Sequence, residues 1–276
     1  MAKDLLKGKK GIIFGALNDL SIAWKVAEKA REQGAEFTLS NTAVSIRMGT
    51  INELAEKTGS IVIAADATNP DDLTNLFNET LEIFGGKVDF ILHSIGMSPN
   101  VRKGIPYTDI NYPNFSKTLD ISALSFHRIL QTAYHLDAIN KWGSVVALTY
   151  VAAQRTLSGY NDMGDAKALL ESIARSFGYV YGRDKKVRVN TVSQSPTPTT
   201  AGSGVKGFGS LIDFSDRMSP LGNATAEEAA EYIVLLFSDF TRKVTMQNLF
   251  NDGGFSSMGM SDRAIEQYNK SFEECD

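Results

Sequence analysis

Lys10-Gly11-Ile12-Ile13-Phe14-Gly15 is a short apolar run ending in glycine. Ala16-Leu17-Asn18-Asp19-Leu20-Ser21-Ile22-Ala23 follows it, and then a helical pattern from Trp24 to Gln33 closed by Gly34. A near-continuous apolar run of this length is expected of a parallel strand buried on both faces. The glycine after the helical stretch is an ordinary helix stop. Strand, turn and helix in this order form the opening half of a βαβ unit.

The same alternation continues outward from it. Phe37–Ser40 reads as a second strand and Ile51–Lys57 as helical. Ser60–Ala65 is a third strand closed by Asp66, and Asp71–Phe84 a helix with Asn69-Pro70 as its N-cap and first residue. Val88–His93 is the fourth strand, and a long helical stretch covers about Asn114–Ile139. Ser144–Thr149 is the fifth strand, followed by a helix that contains Lys167 and runs to about Val180; Val187–Val192 is the sixth. Ala226–Phe237 reads as helix and Asn248-Leu249-Phe250 as a last strand. Between them, residues 193–221 carry Pro196, Pro198 and Pro220 among many Gly, Ser and Thr, and read as a long irregular binding loop. Alternating strands and helices without repeats predict an α/β fold: one doubly wound, Rossmann-type, mostly parallel sheet of about seven strands, with helices on both faces.

Composition narrows the function. The chain has 276 residues, 43% of them apolar and 22% charged, which fits a single domain spanning residues 1–276. A net charge of −4 and the absence of Lys/Arg runs speak against nucleic acid as a partner. The one cysteine, Cys275, excludes a disulfide framework or a cysteine metal site within the chain. No apolar run reaches about 18 residues and the N-terminus has no apolar core, so a cytoplasmic protein without a membrane partner is expected. No metal-ligand spacing is evident.

A parallel sheet binds ligands at the carboxyl ends of its strands. Gly15 with Ser21-Ile22 offers close backbone approach and a helix N-terminus for a phosphate, although the Gly-x-Gly-x-x-Gly fingerprint is missing and a plain turn would also explain Gly15. Asn41-Thr42 follows the second strand where an acid would bind both ribose hydroxyls, and Arg47 is either a 2′-phosphate ligand or a solvated side chain. Asp66 is either an acceptor for an adenine amino group or a turn acid. His93-Ser94-Ile95-Gly96 closes the fourth strand; His93 reads as a satisfied core histidine. Tyr150, Tyr160 and Lys167 lie at the junction after the fifth strand, with Tyr160 and Lys167 about two helical turns apart and able to share a face. An ammonium nearby is expected to favour phenolate and lower a tyrosine pKa from about 10.

These residues resemble the short-chain dehydrogenase/reductase superfamily, and within it the bacterial enoyl-acyl-carrier-protein reductases of type II fatty-acid synthesis. The resemblance covers nearly the whole chain. It rests on Gly15-Ala16 with Ser21-Ile22-Ala23, His93–Gly96, Asp120-Ile121-Ser122 with Ser125-Phe126, Asp252-Gly253-Gly254-Phe255, and above all on Tyr150, nine residues, Tyr160, six residues, Lys167. Ordinary members of the superfamily carry Tyr-x-x-x-Lys; here Gly164 stands four after Tyr160.

The resemblance implies hydride delivery from a nicotinamide to the β-carbon of a trans-2-enoyl thioester on acyl carrier protein. It implies catalytic roles for Tyr160, as donor to the thioester oxyanion, for Lys167, at the nicotinamide ribose, and for Tyr150, lining the site. It assigns Gly15, Ser21, Ile22, Asp66, Ala67, Ile95 and Lys167 to the dinucleotide, with Thr42, Ser94, Gly96, Pro196, Thr197 and Thr199 completing the expected contacts. Ser98, Tyr150, Tyr160, Phe208 and Leu211 are the expected substrate contacts, the last two on the 193–221 loop, and a homotetramer is the expected assembly. The neutral Asn41-Thr42 pair favours NADH, with NADPH as the alternative. Ser195-Pro196-Thr197-Pro198-Thr199 departs from the Gly-Pro-Ile-Arg-Thr of many members, and Pro198 is expected to alter contacts at residues 197–201. Asp165 adds an acid near Lys167 but is expected to point elsewhere. The competing readings are a short-chain reductase of a carbonyl or another activated alkene, and a non-catalytic dinucleotide-binding regulator on the same fold.

Overall fold

The computed structural model describes residues 4–200, 202 and 207–273. Ala201 and Cys275 lie outside them. The chain runs β1 (Lys10–Phe14), α1 (Ile22–Glu32), β2 (Glu36–Asn41), α2 (Ala43–Met48), α3 (Ile51–Thr58), β3 (Ile61–Ala64), α4 (Pro70–Phe84) and β4 (Val88–His93). It continues through α5 (Pro99–Arg102), α6 (Tyr112–Leu119), α7 (Ser125–His135), β5 (Ile139–Thr149), α8 (Asn161–Asp184) and β6 (Arg188–Gln194). The last elements are α9 (Phe208–Met218), α10 (Ala226–Phe237), β7 (Asn248–Asn251) and α11 (Asp262–Glu273).

The seven strands form one sheet in the order β3-β2-β1-β4-β5-β6-β7, and every pairing is parallel. The period of two along each strand sends alternate side chains to opposite faces. Ile13, Leu39, Phe90, Val146 and Val192 pack under α1 and α10, where the Phe90 and Phe237 rings stack at 4.5 Å. Ile12, Phe14, Ile91, Val145 and Val189 pack under α4, α7 and α8. Burial on both faces is why the strands read as apolar runs rather than as alternating ones. Sequential order reverses between β1 and β4, which opens a crevice at their carboxyl ends. Asn69 caps α4 as its sequence suggests, accepting from the amides of Asp71 and Asp72, with Pro70 at the first position.

The structure corrects several sequence expectations. The long helix is two helices, α6 and α7, joined by a π-helical segment, Asp120–Leu124. It ends at His135, not Ile139, because Asp137 turns into the left-handed region (φ 49°) and the Ala138 amide closes on the Ala133 carbonyl. Ile139 instead begins β5, pairing with Val88 before a register shift. The 193–221 stretch is not irregular throughout: β6 extends to Gln194 and α9 spans Phe208–Met218, burying Ser215 and Met218. The helix carrying Lys167 continues to Asp184, and α2, α5 and α11 had no sequence counterpart.

Candidate active site and dinucleotide crevice

The β1–α1 turn is shaped by its neighbours. Gly15 has φ +96°, and a Cβ there would lie 2.0 Å from the Ser94 carbonyl oxygen, so only glycine lets β1 and the end of β4 meet. Ser21 Oγ accepts from the Leu17 and Asn18 amides (3.2 and 3.3 Å) and closes the loop ahead of α1. Asn18 Nδ2 donates to Thr200 Oγ1 at 2.9 Å, tying this loop to the segment after β6. There Thr199 N–H reaches the Thr197 carbonyl (2.7 Å) across Pro198, a three-residue turn that suits a fixed proline φ. Pro196 is buried, Thr197 Oγ1 donates to the Ser195 carbonyl, and Thr199 Oγ1 accepts from the Gly202 amide.

At the end of β2, Asn41 Nδ2 donates to the Ala16 carbonyl, Thr42 caps α2 through the Ser45 amide, and Arg47 is exposed. Asp66 accepts from the Thr68 amide and hydroxyl (2.9 and 2.7 Å), a turn-acid geometry on an exposed residue, with Ala67 buried beside it. His93 is fully buried, hydrogen-bonded through Nε2 to Ser125 Oγ (2.9 Å) and packed on Phe126. Burial, reinforced by the Lys167 charge, pushes its pKa down to about 3, so it is neutral at ordinary pH. The motif serines hold this edge: Ser122 Oγ accepts from the Met97 amide and donates to the Met97 carbonyl. Ser94, Ile95 and Gly96 are thereby carried over the crevice; a Cβ on Gly96 would stand 2.7 Å from Met163 Cε and 3.7 Å from Lys167 Nζ.

The two tyrosines meet after β5. Their ring centroids are 5.2 Å apart at 58°, Tyr150 is 6% exposed, and its hydroxyl has no hydrogen-bond partner. Tyr160 is the N-cap residue of α8, and Lys167 lies in the second turn. Lys167 Nζ donates to the Leu148 carbonyl at 2.7 Å, and burial pulls its pKa down to about 8 against the opposing pull of Glu171. The expected lowering of a tyrosine pKa is not observed. Burial raises both phenols above the ordinary range, and for Tyr150 the neighbouring Tyr160 and Asp252 add to it. Both stay protonated and available as donors. Asp165 does turn away from Lys167, accepting from the Tyr107 hydroxyl at 3.1 Å. Gly164 lets α8 approach the turn at Val151–Ala153, since a Cβ would stand 3.1 Å from the Ala152 carbonyl.

A cavity of about 890 Å³ opens beside Tyr160, bounded by Val101, Ile105 and Tyr107 on one side and by Ala152 and Leu157 on the other. Phe208 and Leu211 are half-buried at the start of α9 and do not line it; the Phe208 ring packs on Gly202. Ser98 is buried, and its hydroxyl donates to Asp162 Oδ1 (2.7 Å). Asp252 holds the C-terminal motif through the Gly254 and Ser256 amides and packs against the turn after α9.

Sequence reading missed Glu171 and Asp162. Glu171 stands one turn beyond Lys167, a spacing that was legible; Asp162 gave no signal until Ser98, Asn100 and Thr118 were seen around it.

The residues fit a dinucleotide. Among the described residues, eight buried side-chain polar atoms lack a hydrogen-bond partner, and those of Ser40, His93, Tyr150, Ser193 and Gln194 lie at the carboxyl ends of β2, β4, β5 and β6. Polar groups left over along this edge suit a polar ligand laid across it. No helix among the described residues is long and apolar enough to cross a membrane.

The family model described as "Enoyl-(Acyl carrier protein) reductase" matches residues 15–256. The enoyl-[acyl-carrier-protein] reductase [NADH] FabI of Rickettsia bellii is 37% identical over 264 residues, 94% of this chain and 98% of that protein. The crystal structure of the FabI–NADH complex from Alistipes finegoldii superimposes with TM-score 0.95 at 70% identity, over 96% of this chain and 94% of that one. The Aquifex aeolicus enzyme structure gives TM-score 0.85 at 31% identity, over 93% and 99%. The chain belongs to the enoyl-(acyl carrier protein) reductase family.

Proposed function

We propose that the protein is an NADH-dependent enoyl-acyl-carrier-protein reductase, reducing the trans-2 double bond of enoyl thioesters in type II fatty-acid synthesis. The observation that carries the chemistry is Tyr160: a phenol kept protonated by burial, at the head of α8, with Lys167 in the second turn and a substrate-sized cavity beside it. When bound, the nicotinamide supplies hydride to the β-carbon. The Tyr160 hydroxyl donates a hydrogen bond to the thioester oxygen as negative charge develops there, a preorganised stabilisation whose worth rises in a water-poor site. Lys167, held on the Leu148 carbonyl, would bind the nicotinamide ribose through its ammonium. Tyr150 packs against Tyr160 and sets its orientation.

Gly15, Ser21 and Ile22 at the β1–α1 turn would hold the cofactor, with Thr42, Asp66 and Ala67 at the adenosine end and Ser94, Ile95, Gly96, Pro196, Thr197 and Thr199 toward the nicotinamide. The neutral Asn41-Thr42 pair, with Arg47 exposed rather than drawn into a phosphate pocket, supports NADH as the donor. Phe208 and Leu211 of α9 stand outside the cavity beside Tyr160 and are assigned to the acyl chain, with Ser98 assigned to the substrate, by the family resemblance alone; residues 193–221 are the substrate-binding loop of a single reductase domain. The substrate arrives on acyl carrier protein in the cytoplasm, and the enzyme works as a homotetramer. Paired NADH and NADPH assays with a trans-2-enoyl thioester test this reading: turnover preferring NADH is expected, and folded protein inactive with both dinucleotides contradicts it.

A further inference from the structure

Asp162 lies in the first turn of α8, two residues after Tyr160, and is fully buried. No salt bridge involves it among the described residues. A carboxylate removed from water without a cation is tolerated only if donors saturate it, and three converge here. Ser98 Oγ reaches Oδ1 at 2.7 Å and Asn100 Nδ2 reaches Oδ2 at 2.9 Å, while Thr118 Oγ1, also 2.9 Å from Oδ2, shares its one proton with the Asn114 carbonyl at 2.9 Å. Ser98 and Asn100 belong to the segment after β4, and Thr118 to α6. Hydrogen bonds to an ionised acceptor are the strong ones, so this carboxylate is the fastening point of three elements.

The fastened segment forms one wall of the cavity. Ser98 Oγ also accepts from the Val101 amide, capping α5, and Val101 lines the cavity. From the same turn of α8, Asn161 Nδ2 donates to the carbonyl of Ile105, a second lining residue. Asn161 holds φ +38°, a conformation asparagine tolerates better than most residues but still at some cost. Such strain beside Tyr160 persists only where surrounding contacts over-determine the turn, and the Ile105 and Asp162 contacts do so. The wall at residues 98–105 and the turn that carries Tyr160 are therefore tied directly to each other.

We propose that Asp162 is a positioning residue that sets the distance between the Ser98–Ile105 wall and Tyr160, and so governs binding of the enoyl thioester without touching it. This rests on the reductase reading above. None of the network's hydrogen bonds involves Gly15, Ser21 or Lys167, so the larger effect is expected on the thioester.

The test is steady-state kinetics of D162N, T118V and the double variant, varying NADH and enoyl thioester separately, with NADH affinity measured by fluorescence. Asparagine keeps the shape but turns an N–H toward one of the three donors. D162N is expected to raise KM for the thioester about 10-fold, on the scale of one lost charge-assisted hydrogen bond, with NADH affinity within about twofold. T118V, which removes the donor that α6 contributes, is expected to show the same split in smaller degree, and adding it to D162N to cost little more. Should D162N fail to fold, T118V alone must still show the split. Wild-type kinetics in D162N, equal losses for both substrates, or full additivity of the two changes would overturn the proposal. A wild type that binds NADH but leaves the thioester unreduced overturns the functional reading, and this proposal with it; an active wild type matched by D162N overturns the proposal alone.

Discussion

Lys167 and Glu171 stand one helical turn apart on α8, and the buried Glu171 carboxylate holds up the pKa of an ammonium that burial pulls down to about 8. Glu171 also accepts from Thr149 Oγ1 (3.0 Å) and Gln154 Nε2 (2.9 Å), so the strand end and turn on either side of Tyr150 are fixed to the helix that bears Lys167.

This pair is expected to make NADH binding depend on pH. Lys167 carries its charge below about pH 8 and loses it above. NADH affinity, if the ammonium binds the ribose, is therefore expected to fall as pH rises through that value. Removing the Glu171 charge lowers the Lys167 pKa further, so E171Q is expected to shift the fall toward neutral pH. Titrating NADH affinity from pH 6 to 10 in both proteins checks the sign; an unmoved midpoint would show that Lys167 is not the titrating group.

Lys167→Ala removes both the charge and the bond to the Leu148 carbonyl. It is expected to weaken NADH binding and turnover together, each by about tenfold or more. Isothermal titration beside the rate assay separates it from a purely chemical defect, in which affinity would be preserved.

His93 behaves oppositely to a catalyst. Its folded pKa of about 3 lies below the ordinary value of 6.5, so the folded state resists the proton that the unfolded chain takes up. Its contribution is whole above pH 6.5 and drains away as pH falls from 6.5 toward 3. H93Q is expected to flatten the acid side of a urea-stability profile over that window and to add no ionisation near pH 6.5 to the rate profile. A rate profile that loses such an ionisation in H93Q would make His93 a participant.

Thr42 and Asn41 leave no phosphate-binding charge at the end of β2, and Arg47 is exposed. Replacing Thr42 by Arg is expected to raise the NADPH-to-NADH ratio of kcat/KM several-fold, since an arginine fork suits a 2′-phosphate. Paired assays decide it, an unchanged ratio placing the adenosine ribose elsewhere.

What the sequence disclosed follows the range of each signal. Buried parallel strands announce themselves locally, because both faces are apolar; Ile12-Ile13-Phe14 and Val145–Leu148 could be read without any partner. The Tyr150, Tyr160 and Lys167 spacing was likewise local. Ile139 was placed in a helix because its pairing with Val88 lies 51 residues away and no window contains it. In 193–221 the prolines and glycines masked α9, whose half-buried face packs on residues distant in the chain. The sign of the tyrosine shift was misjudged for a related reason: spacing reveals which charge is near but not how far the phenol is taken out of water, and desolvation raises both tyrosines. Asp162 was silent because its three donors come from positions 98, 100 and 118.

The central claim is that the protonated Tyr160 hydroxyl stabilises charge on the thioester oxygen during reduction. The most direct measurement is single-turnover reduction of a trans-2-enoyl thioester by Tyr160→Phe preloaded with NADH. The ring and its packing on Tyr150 are retained and only the donor is lost. The rate is expected to fall by about 10²–10³, the usual cost of an oxyanion donor, while NADH affinity stays within about twofold. A variant that binds NADH normally and reduces the thioester at the wild-type rate would contradict the account.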